Sequence, residues 1–286
     1  MRFEYLAPAT IAEAVSLLVK HNGKARVIAT GTDLLVKVAN RSIEAEYVVD
    51  ITAITGLDYI ELDEKGGLKI GALATMRTLE TSAELGQSYP IISQAAGNVA
   101  SVAIRNIATV GGNLCNAAPS ADTAPALIAL TARVRLVGPD GERVVPLEDF
   151  FTGPGSTALK TGELLVEIIV SPPLPHTKGA YLKHSIRGTV DLAIVGVAVV
   201  ATLEPDRRLC RDIKIVLGAV APVPLRALEA EEVLRGKKIT PALTQQCARV
   251  AAGEAHPISD VRASAEYRTK MVRVITERAI REATDG

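Results

Sequence analysis

The stretch "TVGGNLCNAAPSADTAPALIAL" (residues 109–130) sets two adjacent glycines and an asparagine ahead of an apolar run that reads as a helix. Such a bare corner has two readings. It is a tight turn and nothing more, or its backbone comes very close to a bound molecule, because glycine leaves room and takes up positive φ freely. A second corner of the same kind, "ATGTDL" (29–34), also precedes an apolar run. In both, successive backbone N–H groups can form a concave anion site. The hydroxyls of Thr30, Thr32 and Thr109 can each add a donor. Neither corner carries Lys or Arg, so a phosphate there would be held by dipoles, which suits a resident cofactor better than a passing substrate. Asp33 repels phosphate and reads as a helix cap. Asp122 can accept hydrogen bonds from a ribose or a base edge. Neither corner has the Gly-x-Gly-x-x-Gly or Walker pattern, which disfavours the ordinary dinucleotide fold and the nucleotide-hydrolase loop.

The totals narrow the classes. The chain has 286 residues, enough for two domains. Hydrophobic residues make up 48% and charged residues 22%, ordinary values for a globular protein. Lys plus Arg and Asp plus Glu balance at 32 each, so charge gives no sign of nucleic acid or a membrane surface as partner. The apolar run "LAIVGVAVVATL" (192–203) is too short to span a bilayer and reads as a buried strand. The N-terminus lacks a basic segment followed by an apolar one, so the expected location is the cytoplasm. Cys115, Cys210 and Cys247 form no Cys-x-x-Cys pair and the histidines are scattered, so no metal or cluster is expected on this chain. With no Trp and three Phe, a flat ligand must be gripped by aliphatic groups and backbone.

Along the chain, Thr10 and Glu13 form a capping box for a helix that Gly23 closes. "RVIA" and "EYVVDIT" read as strands. "DYIELDEKGGLKIGAL" and "RVRLVGPDGERVVPL" read as hairpins, with helices at 76–85 and 90–100 between them and the buried strand "ELLVEIIV" after them. "SPPLPHTKG" (171–179), with Pro172, Pro173 and Pro175, is the expected domain boundary. Beyond it come three strands ("AYLKHSI", "LAIVGVAVVATL", "RDIKIVLGAV") and then three helices. That order predicts a small α+β domain with a three-stranded antiparallel sheet and helices bundled on one of its faces.

Four motifs, "ATGTDLL", "TVGGNLCNAAPSAD", "LKHSIRGTVDLAIVGVA" and "SAEYRTKMV", follow one another in an order that resembles the FAD-binding medium subunit of the molybdenum hydroxylases, the xanthine dehydrogenase and carbon monoxide dehydrogenase family. The resemblance covers nearly the whole chain. It implies an α+β fold: a two-subdomain FAD-binding domain of the vanillyl-alcohol oxidase (PCMH) type over 1–175 (subdomains about 1–56 and 57–175), then a C-terminal domain over 176–286. It implies FAD contacts by Ala29, Thr30, Gly31, Thr32, Asp33 and Leu34 in the first loop and by Thr109, Gly111, Gly112 and Asn113 in the second. Asp122, Leu165 and Lys183 are implied contacts too, with the Lys183 ammonium placed to stabilise negative charge on the reduced ring. One position departs: where some relatives lay an aromatic side chain on the flavin, this sequence has Val99, for which Tyr181 or Tyr267 could substitute.

The function so implied is an FAD-dependent oxidoreductase subunit of a heterotrimer. A large subunit with molybdenum cofactor and a small iron–sulfur subunit with two [2Fe-2S] clusters would feed electrons to FAD, and NAD or another acceptor would take them. The alternatives are a stand-alone flavin oxidoreductase of the vanillyl-alcohol oxidase type and a flavin-free scaffold subunit. No His or Tyr stands in a convincing position for covalent flavin attachment, which weighs against the first.

Overall fold

The computed structural model describes residues 3–188, 190–206 and 209–284. Its first sheet is parallel and three-stranded: β1 (Glu4–Leu6), β2 (Ala25–Ile28) and β3 (Tyr47–Asp50), in the order β1-β3-β2. Parallel neighbours need a crossover, and α1 (Ile11–Lys20) supplies one. The Thr10 hydroxyl accepts from Glu13 N at 3.1 Å, as the capping box requires, while the Glu13 carboxylate reaches one residue further out, to Ala9 N at 2.8 Å. A short helix, α2 (Leu34–Ala39), follows β2 through the first glycine corner.

The second sheet is antiparallel. The hairpin of β4 (Ile60–Leu62) and β5 (Leu68–Gly71) and that of β6 (Arg133–Gly138) and β7 (Gly141–Pro146) form as expected. A two-stranded ribbon, β8 (Phe151–Gly153) and β9 (Ser156–Thr157), comes next. The apolar strand β10 (Leu164–Val170) then inserts between the hairpins, giving the order β4-β5-β10-β6-β7. A strand with neighbours on both sides and cover on both faces needs no polar alternation. Between the hairpins run α3 (Met76–Thr81), α4 (Ala83–Ser88), α5 (Pro90–Gly97), α6 (Val102–Arg105), α7 (Val110–Asn116) and α8 (Thr123–Ala129). The Gly-Gly-Asn segment is therefore not a loop ahead of a helix. It is the first turn of α7, capped by the Thr109 hydroxyl on Gly112 N at 3.2 Å.

The third sheet joins β11 (Thr177–His184), β12 (Val195–Leu203), β13 (Cys210–Gly218) and β14 (Leu225–Arg226) in that order, all antiparallel. Two expectations are corrected. The sheet has four strands, because β14 adds a two-residue edge too short to leave a pattern in the sequence. Its helices also lie on both faces. α9 (Leu228–Leu234), α10 (Pro241–Glu254) and α11 (Ala265–Thr284) cover one face, while α5 and α8 pack on the other. β12 records this residue by residue: Val197, Val199 and Ala201 enter the core under the C-terminal helices, and Ala198 and Val200 enter the core of the second sheet. All nine of its residues are buried. Among the described residues no helix is long and apolar enough to cross a membrane.

Candidate functional site: a cleft between three sheets

A cleft of about 850 Å³ opens where the three sheets meet, near the upper end of the roughly 300–1,000 Å³ usual for cofactor sites. One wall is the 29–34 loop after β2. The facing wall is the start of α7, with Asp122 and the β10 residue Leu165 beside it. The 190–192 loop and Arg262 close it from the third sheet. Of the implied cofactor contacts, Ala29–Leu34, Thr109, Gly111, Gly112, Asn113, Asp122 and Leu165 line this cleft and Lys183 does not; Val99 lines it, while Tyr181 and Tyr267 do not.

The two glycine corners use their backbones differently. In the first, Gly31 has φ +80, a conformation that favours glycine; a Cβ there would also meet Leu35 Cδ1 at 2.7 Å, but that exposed side chain can turn aside, so it is the backbone conformation that calls for glycine. The N–H groups of Thr30, Gly31, Thr32 and Asp33 find no acceptor among the described residues, which leaves an open set of donors. Asp33 stands at the start of α2, yet its carboxylate makes no capping hydrogen bond.

In the second corner the backbone donors are spent. Val110 N pairs with Ala74 O at 2.9 Å, Gly111 N with Ala72 O at 2.9 Å, and Asn113 N with Thr109 O at 3.0 Å. The nest expected there is thus closed, and side chains supply the donors that remain. The Thr109 hydroxyl, which accepts from Gly112, still has its own proton to give. Asn113 Oδ1 takes the Thr123 hydroxyl at 2.6 Å, leaving the amide nitrogen free to donate. The two glycines also part company. A Cβ on Gly111 would lie 2.7 Å from Ala72 O, whereas one on Gly112 would meet only Thr109 Oγ1, at 2.9 Å. Gly111 is bare because the second sheet packs on it; Gly112 is bare toward the cleft.

Asp122 anchors the deep end. Its Oδ1 accepts from the Tyr181 hydroxyl at 2.7 Å and its Oδ2 from Lys183 Nζ at 2.9 Å, and Lys183 also donates to Asn98 O at 2.9 Å. Burial pushes the Asp122 carboxyl above its ordinary range against the pull of Lys183 and Tyr181. The Tyr181 hydroxyl is pushed well above its usual value by burial and by that carboxylate, so it stays a donor. Lys183 therefore stands behind Asp122, with its ammonium committed to protein oxygens, rather than in the cleft wall as expected.

The aromatic substitutes for Val99 do not materialise. Tyr181 serves Asp122, and Tyr267 pairs with His184 Nε2 at 3.0 Å. Among the described residues no aromatic side chain lines the cleft; Val99 does. Sequence reading also missed the cations, for Arg26, Lys37, Arg187 and Arg262 all reach the cleft. Lys37, one helical turn after Asp33, had a signal in its spacing. The others come from distant segments and had none. A cleft of this volume with unspent donors in one wall, hydroxyl and amide donors in the other, cations and aliphatic cover fits a dinucleotide with a diphosphate centre.

Comparison with known proteins gives the same answer from another direction. Residues 1–173 match the family described as the FAD binding domain in molybdopterin dehydrogenase, and residues 180–283 match the CO dehydrogenase flavoprotein C-terminal domain. The chain is 32% identical to the xanthine dehydrogenase FAD-binding subunit of Escherichia coli O157:H7, over 98% of this chain and 95% of that one. It is 35% identical to the carbon monoxide dehydrogenase medium chain of Afipia carboxidovorans, over 98% and 96%. It superposes with a TM-score of 0.95 on a chain of the carbon monoxide dehydrogenase of Hydrogenophaga pseudoflava, at 35% identity, covering 99% of this chain and 97% of that one. The glycine corners, the cleft between them and these likenesses converge: the chain belongs to the FAD-binding medium subunits of the molybdenum hydroxylase family.

Proposed function

We propose that this chain holds FAD in the three-walled cleft and passes electrons from the [2Fe-2S] clusters of a small partner subunit to NAD or another acceptor. A large subunit with molybdenum cofactor would carry out the substrate oxidation, and the three chains would form a heterotrimer in the cytoplasm. The carrying observation is the pair of facing corners, with open backbone donors at Thr30–Asp33 and the Thr109 and Asn113 side chains opposite. Bound FAD supplies the exchange of an electron pair for single electrons that links a two-electron substrate to one-electron clusters.

The chain's own residues hold and orient. The 30–33 N–H groups and the Thr109 hydroxyl would bind the diphosphate. Asp122, kept in one orientation by Tyr181 and Lys183, would accept from a polar edge of the cofactor. Leu165 and Val99 would cover apolar surface and exclude water. Lys183 would act on ring charge through Asp122. The FAD-binding unit would run over 1–175, in subdomains of about 1–56 and 57–175, with the C-terminal unit over 176–286.

The test is a visible absorption spectrum of the protein, isolated alone and with its partner subunits, followed by acid release of any flavin. Released FAD in stoichiometric amount supports the reading. Protein that stays colourless in both preparations, even after incubation with FAD, would leave the scaffold alternative.

A further inference from the structure

The corner between α5 and α6 carries a strained residue that is not glycine. Ala100 lies in the left-handed region, at φ +43, which a Cβ disfavours. Val99 and Ala100 line the cleft. Their two carbonyls are taken by a single buried side chain, for Arg105 Nη1 donates to Val99 O at 3.0 Å and to Ala100 O at 3.2 Å. The rest of the guanidinium is gripped by Glu80, Nε to Oε2 at 2.9 Å and Nη2 to Oε1 at 3.1 Å. Arg77 steadies Glu80 from the other side at 2.9 Å. Arg105 is only 8% exposed and does not itself line the cleft. Lys183 takes the preceding carbonyl, that of Asn98.

A trans peptide is planar, with its N–H directed opposite to its C=O. Turning the Val99 carbonyl onto Arg105 therefore turns the Ala100 N–H away from it. The next peptide does the same with the Ser101 N–H. Neither N–H has an acceptor among the described residues. Two adjacent N–H groups about a left-handed residue make a concave donor pair suited to an anion.

We infer that Arg105 is a positioning residue of the cofactor site: it imposes the left-handed Val99–Ala100–Ser101 corner and so presents the Ala100 and Ser101 N–H groups to negative charge on the bound dinucleotide. This rests on the FAD reading above. That charge has two sources in one cofactor, the diphosphate and the ring once reduced, and experiment separates them.

The full chain is compared as wild type, as E80Q/R105M, and as E80Q/R105M with Ala100→Gly added. Glu80→Gln avoids stranding a carboxylate. Readouts are FAD affinity, ADP affinity as a ring-free probe, and the flavin midpoint potential. Loss of a charge-assisted clamp should weaken FAD binding by about tenfold or lower the potential. Ala100→Gly should restore most of either loss, because glycine reaches the left-handed region without a clamp. A parallel fall in ADP affinity assigns the donors to the diphosphate; a lowered potential with unchanged ADP affinity assigns them to the ring.

A folded E80Q/R105M protein unchanged in all three readouts overturns the inference. So does a loss that Ala100→Gly leaves unrestored, since a merely structural arginine would not answer to the backbone freedom of residue 100. Should E80Q/R105M fail to fold, R105K carries the same comparison, because one ammonium can keep Glu80 but cannot hold both carbonyls. A wild type that takes up no FAD sinks the cofactor reading itself, a result distinct from either outcome at Arg105.

Discussion

A single added carbon distinguishes Gly111 from Gly112. On Gly111 it would press against Ala72 O at 2.7 Å and Ala72 Cβ at 2.8 Å, at the end of β5, so Gly111→Ala should lower unfolding stability by about 1–3 kcal/mol, read by denaturant melts. On Gly112 it disturbs only the Thr109 cap, worth about 1 kcal/mol, and gains back about as much because alanine favours a helix over glycine. Valine recovers only part of that gain, since its β-branch makes it a poorer helix former than alanine, so Gly112→Val should fold within about 1 kcal/mol of wild type and lose FAD; undiminished flavin content would remove this corner from the site. The buried pair behind it gives a second prediction. Lys183→Met strands the Asp122 carboxylate at about 7% side-chain exposure, and breaking such a pair costs about 3–5 kcal/mol. In that variant Asp122 is raised further and takes up a proton on folding, so the deficit should shrink as pH falls. A double variant, K183M/D122N, should recover much of the stability. Equal losses in the single and double variants, flat with pH, would show that Lys183 and Asp122 are not coupled.

At the scale of elements, what the sequence shows is what repeats. Strands β5, β6, β10, β12 and β13 and helices α1, α10 and α11 are long or alternating enough to be read directly. β1, β14, α6 and the β8–β9 ribbon, at two to four residues, are too short for any period to register. The start of α7 was misread for a physical reason. Glycine opposes helix, so Gly-Gly-Asn looks like a loop, but the Thr109 cap and the hydrogen bonds of Val110 and Gly111 to Ala74 and Ala72 decide the matter from outside the helix. The small residues and hydroxyls of the cleft were visible as a composition. Its arginines were not, since Arg187 and Arg262 arrive on loops whose position depends on the third sheet. One of those loops is fastened by Asp260, which accepts from Arg262 N at 2.9 Å, Ala263 N at 3.1 Å and Arg268 Nη2 at 2.8 Å. The Arg262 backbone bond, then Arg268, hold its carboxyl well below the usual range. A depressed carboxyl stabilises the fold above its ordinary pKa and loses that contribution as pH falls through the folded value. Asp260→Asn should thus melt earlier than wild type near neutral pH, with the gap closing toward about pH 3 and below. A gap constant with pH would mean that the charge of Asp260 is irrelevant.

For the molecule as a whole, the question is whether three sheets make one folding unit. The burial of β12 on both faces argues that they do: Ala198, Val200, Val216 and Tyr181 of the third sheet lie in the core of the second. The cleft adds a further tie, because its walls come from all three sheets. A ligand that binds only the closed arrangement stabilises it by about 2.7 kcal/mol at a concentration one hundred times its dissociation constant. For a chain of this size that corresponds to a rise of about 5 °C in the melting midpoint. Calorimetry of the flavin-depleted chain should show one transition, and FAD at that excess should move the entire transition upward. The shared core and the shared cleft make the same demand, and they can be told apart. If Val200→Asp splits the transition in two without FAD and added FAD fuses it again, packing and cofactor both join the third sheet to the rest. If the wild-type trace already has two transitions and FAD raises only one, the third sheet melts on its own, and the wall carrying Arg187 and Arg262 takes no part in holding the cofactor.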